Sequence, residues 1–125
     1  MTPEELREQS KDLARYGKKF TKGVELALAG GVKASIFLPS GRVLYSATGT
    51  LGDEFMDPER PFCSCSNFFF QVLGGRDDTC YHLLGYKIAS RANLVEQVKF
   101  NDAEYDSYLR AFVMDVFNVV GRSSG

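Results

Sequence analysis

The chain has 125 residues, 44% of them apolar and 25% charged, and its fifteen basic and sixteen acidic side chains leave a net charge of −1. That length fits one domain and leaves no room for two, and the composition excludes wholesale disorder. The near-neutral balance argues against a protein that grips a phosphate backbone through its overall field.

The first signal in chain order is a helix start. Thr2 is placed as an N-cap, Pro3 as the first helical residue and Glu5 three positions after the cap. A polar helix is expected from Pro3 to Tyr16, with Gly17 as an interruption. From Lys18 the spacing of Phe20, Val24, Ala27 and Leu28 gives an amphipathic stripe, and Gly30-Gly31 ends it as a left-handed cap would. Ser35–Leu38 and Val43–Ser46 flank Pro39-Ser40-Gly41-Arg42 and predict a β-hairpin. The stretch from Gly49 to Pro61, with Asp57-Pro58 and Arg60-Pro61, reads as irregular or at most a short edge strand.

Phe68 to Leu73 predicts a short helix stopped by Gly74-Gly75. A second helix is expected to run to Arg91, with Asp78 or Thr79 as its cap. The clearest periodicity comes last. Tyr105, Tyr108, Leu109, Phe112, Val113, Val116, Phe117 and Val120 keep one helical face for four turns. Asn101-Asp102-Ala103-Glu104 forms a capping box before them, and Phe100 is expected to staple onto Tyr105. The expected organisation is a single α+β domain over 1–125. It comprises an N-terminal helical segment (1–31), a hairpin and metal core (32–92) and a C-terminal helix (101–120).

Apolar runs such as Phe68-Phe69-Phe70 are far too short to span a bilayer, and the acidic opening lacks the order of a secretory signal. An intracellular location is therefore expected, in the nucleus if the source is eukaryotic and in the cytoplasm if it is archaeal.

The cysteines carry the chemistry. Cys63, Cys65 and Cys80 are the only three, His82 is the only histidine, and all four fall within twenty residues. Three cysteines cannot all pair within one chain, whereas four ligands of these types suit a closed tetrahedral zinc site. The one-residue gap between Cys63 and Cys65 puts both side chains on one face of an extended segment. In a helix, residues two apart diverge by about 200°. Cys80 and His82 can therefore share an ion only where the chain enters a helix, with Cys80 before or at the cap and His82 in the first turn. That position also favours the thiolate zinc needs. The competing reading is three buried cysteines with an incidental histidine. A cysteine nucleophile with His82 as its base lacks an orienting third group.

Cys-x-Cys-x(n)-Cys-x-His is the pattern of SWIM zinc domains. The fuller run comprises Pro39–Arg42, Phe62-Cys63-Ser64-Cys65, Phe68–Leu73 and Cys80-Tyr81-His82-Leu83-Leu84. It resembles the small stand-alone SWIM proteins, namely the Shu-complex SWIM subunit and its relatives, partners of RecA-like recombinase paralogues. The resemblance extends from about Lys18 to Arg91, and more loosely into the last helix. It implies a ββα-type zinc core and a role in homologous recombination and DNA repair. Ser66 and Tyr81 depart from it, standing where the family often has Pro and Lys; neither is a ligand.

Two further groups stand out. Arg15, Lys18, Lys19 and Lys22 form one basic stripe if the helix continues through Gly17, and are the candidate nucleic-acid contacts against the alternative of a solvated helix face. Phe68, Phe69 and Phe70 span about 200° of a helix, more than a thin domain buries easily, and are the candidate partner contacts. Gly30-Gly31-Val32-Lys33 lacks the ending of a phosphate loop, and Asp77-Asp78 reads as capping chemistry.

The expected protein is thus a binding subunit with one structural Zn2+, and not an enzyme. Its expected partner is a RecA-like recombinase paralogue, with single-stranded DNA reached through the complex and neither membrane nor small-molecule substrate involved. The alternative is a self-sufficient nucleic-acid-binding zinc module.

Overall fold

A computed structural model of the chain describes residues 1–49, 52–65, 68, 72, 74–75 and 79–111. Helix α1 (Pro3–Gln9) starts as its sequence dictates: the Thr2 side chain accepts the Glu5 N–H at 3.2 Å, and Pro follows the cap. The single helix expected over 3–16 is instead broken at Ser10. A 3-10 helix, Lys11–Tyr16, takes over, with one apolar side chain from each piece, Leu6 and Leu13, buried. Gly17 adopts φ +61° and separates it from α2 (Lys18–Leu28). That positive φ costs a glycine little. Phe20, Val24 and Ala27 point inward with Leu26, whereas Leu28 is 36% exposed. Gly30, at φ +68°, supplies the left-handed exit.

Strands β1 (Val32–Leu38) and β2 (Arg42–Gly49) form the expected hairpin, with Phe37 opposite Arg42. β3 (Gly52–Asp57) and β4 (Phe62–Cys63) extend it, and β5 (Glu96–Asn101) completes a five-stranded sheet in the order β4-β3-β2-β1-β5. All pairs are antiparallel except β1–β5.

β3 corrects the expectation that 49–61 is irregular or at most a short edge strand, since it pairs with β2 on one side and β4 on the other. The prolines stay outside the strand. Asp57 closes it by accepting the N–H groups of Glu59 and Arg60 in the turn to β4.

Helix α3 (Tyr81–Arg91) packs on α2. The register puts Val32, Ala47, Met56 and Cys63 on one sheet face, and these form one core with Phe20, Val24, Leu83, Leu84 and Ile88 of the helices. At the other end of α3, Arg91 grips Asp12 with two hydrogen bonds of 2.7 and 3.0 Å. The pairing lowers the Asp12 carboxyl pKa and ties the N-terminal 3-10 helix to α3.

The opposite sheet face carries Phe37, which is fully buried. Its ring meets those of Phe100, Tyr105 and Tyr108 at 5.1–5.4 Å, and the Ser35 and Tyr108 hydroxyls share a 2.6 Å hydrogen bond. The capping box at Asn101 forms as expected, with the Asn101 N–H donating to Glu104 Oε2. Phe100 meets Tyr108, at 5.2 Å, on the same Phe37 platform. The C-terminal helix is described through residue 111; its expected remainder lies outside the described residues, as does most of the helix expected over 68–73. Among the described residues no helix is long and apolar enough to cross a membrane.

The α2–α3 crossing is set by two glycines. A Cβ on Gly23 would stand 3.1 Å from the backbone nitrogen of Gly85, which cannot yield without moving α3. Gly23→Ala is expected to cost about 1–3 kcal/mol as an overpacked contact, read as a lowered urea midpoint. An unchanged midpoint would mean the helices do not approach this closely.

Candidate metal centre

The ββα unit of β3, β4 and α3 brings the four sequence-predicted ligands together. Cys63 is the last residue of β4, opposite Met56, and Cys65 follows on the same side of the extended chain. Cys80 is the N-cap of α3, in extended conformation (φ −114°, ψ 167°), and His82 is the second helical residue. Both stand where the Cys-x-His spacing requires, at the entry to a helix. The cap itself differs from the expected Asp78 or Thr79, because the chain must stay extended at Cys80 for its thiol and the His82 ring to converge. All four residues are buried, and their ligand atoms lie within 4.8 Å of one another. Tetrahedral zinc ligands sit roughly 3.8 Å apart, so small side-chain adjustments close the set.

Two observations show that the donors fit a metal. His82 is 3% exposed, yet neither ring nitrogen has a hydrogen-bond partner among the described residues. Leaving a buried polar group unsatisfied costs about 1–3 kcal/mol, which a metal bond to one nitrogen removes. The thiols also titrate as a group. Hydrogen bonds from Cys63 and Cys65 hold the Cys80 thiol well below the usual range against the opposing effect of burial, and the Leu83 N–H adds to this. Cys63 is pushed up by hydrogen bonding with Cys65 and Cys80 and by burial. For Cys65 the hydrogen bond with Cys63 lowers the pKa, but the one with Cys80 and burial outweigh it, pushing it up to about 12. Three thiolates packed this closely need a cation, and its uptake releases thiol protons. A soft, thiolate-rich set with one imidazole selects zinc.

The chain resembles the zinc finger SWIM domain-containing protein 7 homologue of Dictyostelium discoideum, at 33% identity over 76 residues, or 59% of this chain. The chain spans about half the length of that relative (49%). The match supports a SWIM-type zinc finger. No family model matches the chain, and no solved structure does. The fold is a small α+β domain with a five-stranded sheet and a close Cys3His group, consistent with a zinc-binding SWIM domain, and one structural zinc is its cofactor, with Cys63, Cys65, Cys80 and His82 within ligand distance.

The other predicted residues fall differently. Phe68 is 4% exposed and packs on Phe62 at 5.3 Å, with its N–H donating to Cys65 Sγ. It is core under the metal loop, which corrects its placement as a partner contact. Phe69 and Phe70 lie outside the described residues. The four-residue basic stripe does not form, because Gly17 breaks the helix. Arg15 lies over its neighbour Tyr16, at 4.8 Å, on the separate 3-10 helix. On α2, Lys18 is exposed, Lys19 donates to the Thr79 carbonyl at 2.7 Å, and Lys22 stands 5.5 Å over the Tyr81 ring. Lys19 and Lys22 thus face the approach to the metal loop. Buried Glu54, which accepts the Ser64 hydroxyl at 2.8 Å, went unremarked in the sequence; a carboxylate alternating in phase with Met56 on a strand was the available signal.

Proposed function

We propose that the protein is a non-catalytic zinc-binding subunit that docks on a RecA-like recombinase paralogue. In that complex it promotes recombinase filament assembly on single-stranded DNA during homologous recombination and DNA repair. The observation that carries the non-catalytic half is the closed cluster. Four buried protein donors complete zinc's usual coordination number, which is the pattern of structural sites, whereas catalytic zinc keeps a position for water. When bound, the ion supplies folding energy, and the chain's own contribution is to present the surrounding surface. The docking half rests on the order of motifs from Pro39 to Leu84 that resembles the stand-alone SWIM subunits; the Dictyostelium relative's name speaks only of the zinc finger. The net charge of −1 supports a role through protein contacts over direct grip on DNA.

The test is purification of the untagged native complex at physiological salt, beside titration of the isolated chain with single-stranded DNA. Recovery of a RecA-like ATPase in constant ratio to the chain is the expected result. Tight, salt-sensitive DNA binding by the chain alone, with no ATPase recovered, would favour the self-sufficient nucleic-acid module.

A further inference from the structure

Each ligand pair is tied to an element that contributes no ligand. Ser64 stands between Cys63 and Cys65 and is fully buried. Its N–H donates to the Phe55 carbonyl at 2.9 Å, and its hydroxyl oxygen accepts the Phe55 N–H at 2.9 Å. The same hydroxyl donates to Glu54 Oε2 at 2.8 Å. With both capacities in use, that hydroxyl has one orientation, and the Cys63-Ser64-Cys65 segment is fixed against β3. At the second pair, Lys19 Nζ reaches sixty residues along the chain from α2 to donate to the Thr79 carbonyl at 2.7 Å. That carbonyl belongs to the peptide plane shared with the Cys80 nitrogen, so fixing it constrains the torsion that aims the Cys80 thiol. The bond is charge-assisted and partly buried, which strengthens it relative to a neutral pair.

We propose that Glu54 and Lys19 are positioning residues of the metal centre. Through Ser64 and the Thr79 carbonyl, each holds one ligand pair in its coordinating orientation and slows release of the ion. The proposal rests on zinc occupying the Cys63–Cys65–Cys80–His82 cluster. Neither residue is among the four ligands. Both limit how far a ligand arm swings away once one bond breaks. Losing such a supporting partner changes metal affinity by about 10–100-fold.

The experiment uses the full chain loaded with zinc, its stoichiometry measured first, and follows transfer of zinc to a chromogenic chelator. Lys19→Met and Glu54→Met are expected to release zinc about 10–100-fold faster than wild type, while Lys19→Arg and Glu54→Gln stay close to it. Phe37→Ala, which loosens the sheet face away from the metal without touching either hydrogen bond, is the control for general loosening and should not speed release. Should Glu54→Met fail to fold, Ser64→Ala takes its place under the same criteria. Met variants within about twofold of wild type would overturn the proposal, as would Arg and Gln variants as fast as the Met ones or an equally fast Phe37→Ala. Wild-type protein without stoichiometric zinc would overturn the metal reading and this proposal with it, whereas full loading with unaltered release overturns the proposal alone.

Discussion

Cys80→Ser is expected to abolish zinc binding and to melt the 62–92 region, so that most of its amide resonances lose native dispersion. The size of the effect follows from two magnitudes. A structural zinc site contributes about 10–16 kcal/mol of apparent binding energy, and a domain of this size holds only about 5–15 kcal/mol in total. The loss does not stay local. Cys63, Cys80, Leu83, Leu84 and Ile88 share one core with Phe20 and Val24 of α2 and with Val32 and Ala47 of the hairpin. Releasing α3 therefore exposes the inner faces of α2 and the sheet. Native dispersion in a metal-free Cys80→Ser protein would contradict a structural role for the ion.

Phe37→Ala is expected to destabilise the domain by about 3–5 kcal/mol, read as a fall in urea midpoint with zinc kept saturating. Phe37 is fully buried on the sheet face away from the metal, where it meets Phe100 of β5 and Tyr105 and Tyr108 of the C-terminal helix. Truncation leaves a cavity that the three flanking aromatic rings cannot easily fill, and frees the helix over 105–111 from the sheet. Zinc stoichiometry should be unchanged, since no metal ligand lies on that face. A cost below about 1 kcal/mol would show that this helix does not sit on Phe37.

Much of the metal centre was legible because its logic is local. A strand period of two and a helix period of 3.6 permit Cys-x-Cys and Cys-x-His to converge only at a strand end and a helix entry, and both arms are found there. The hairpin and the exit of α2 were legible for a similar reason, since Gly30 and the Pro39–Gly41 turn announce their conformations. β3 was obscured by Glu54. A charged residue in phase with Met56 spoils the alternation that signals a half-buried strand, and its burial makes sense only once Ser64 is beside it. β5 offers just Val98 and Phe100 as an alternating pair. Its parallel register against β1, Ser35 opposite Val98 and Phe37 opposite Phe100, depends on contacts more than sixty residues apart that no local pattern encodes. The break at Ser10 was likewise hidden: Leu6 and Leu13 fit one helix by spacing, but the Arg91–Asp12 pair holds the second piece against α3. The basic stripe failed for a single residue, Gly17, whose positive φ ends one helix before the next begins.

The most direct measurement of the central claim is elemental analysis of the wild-type chain purified without chelators. One zinc per chain is the predicted result, lost in parallel with the dispersion of the 62–92 amides when a strong chelator is added. Less than about half an equivalent of zinc, in a protein that keeps its native dispersion, would contradict the account.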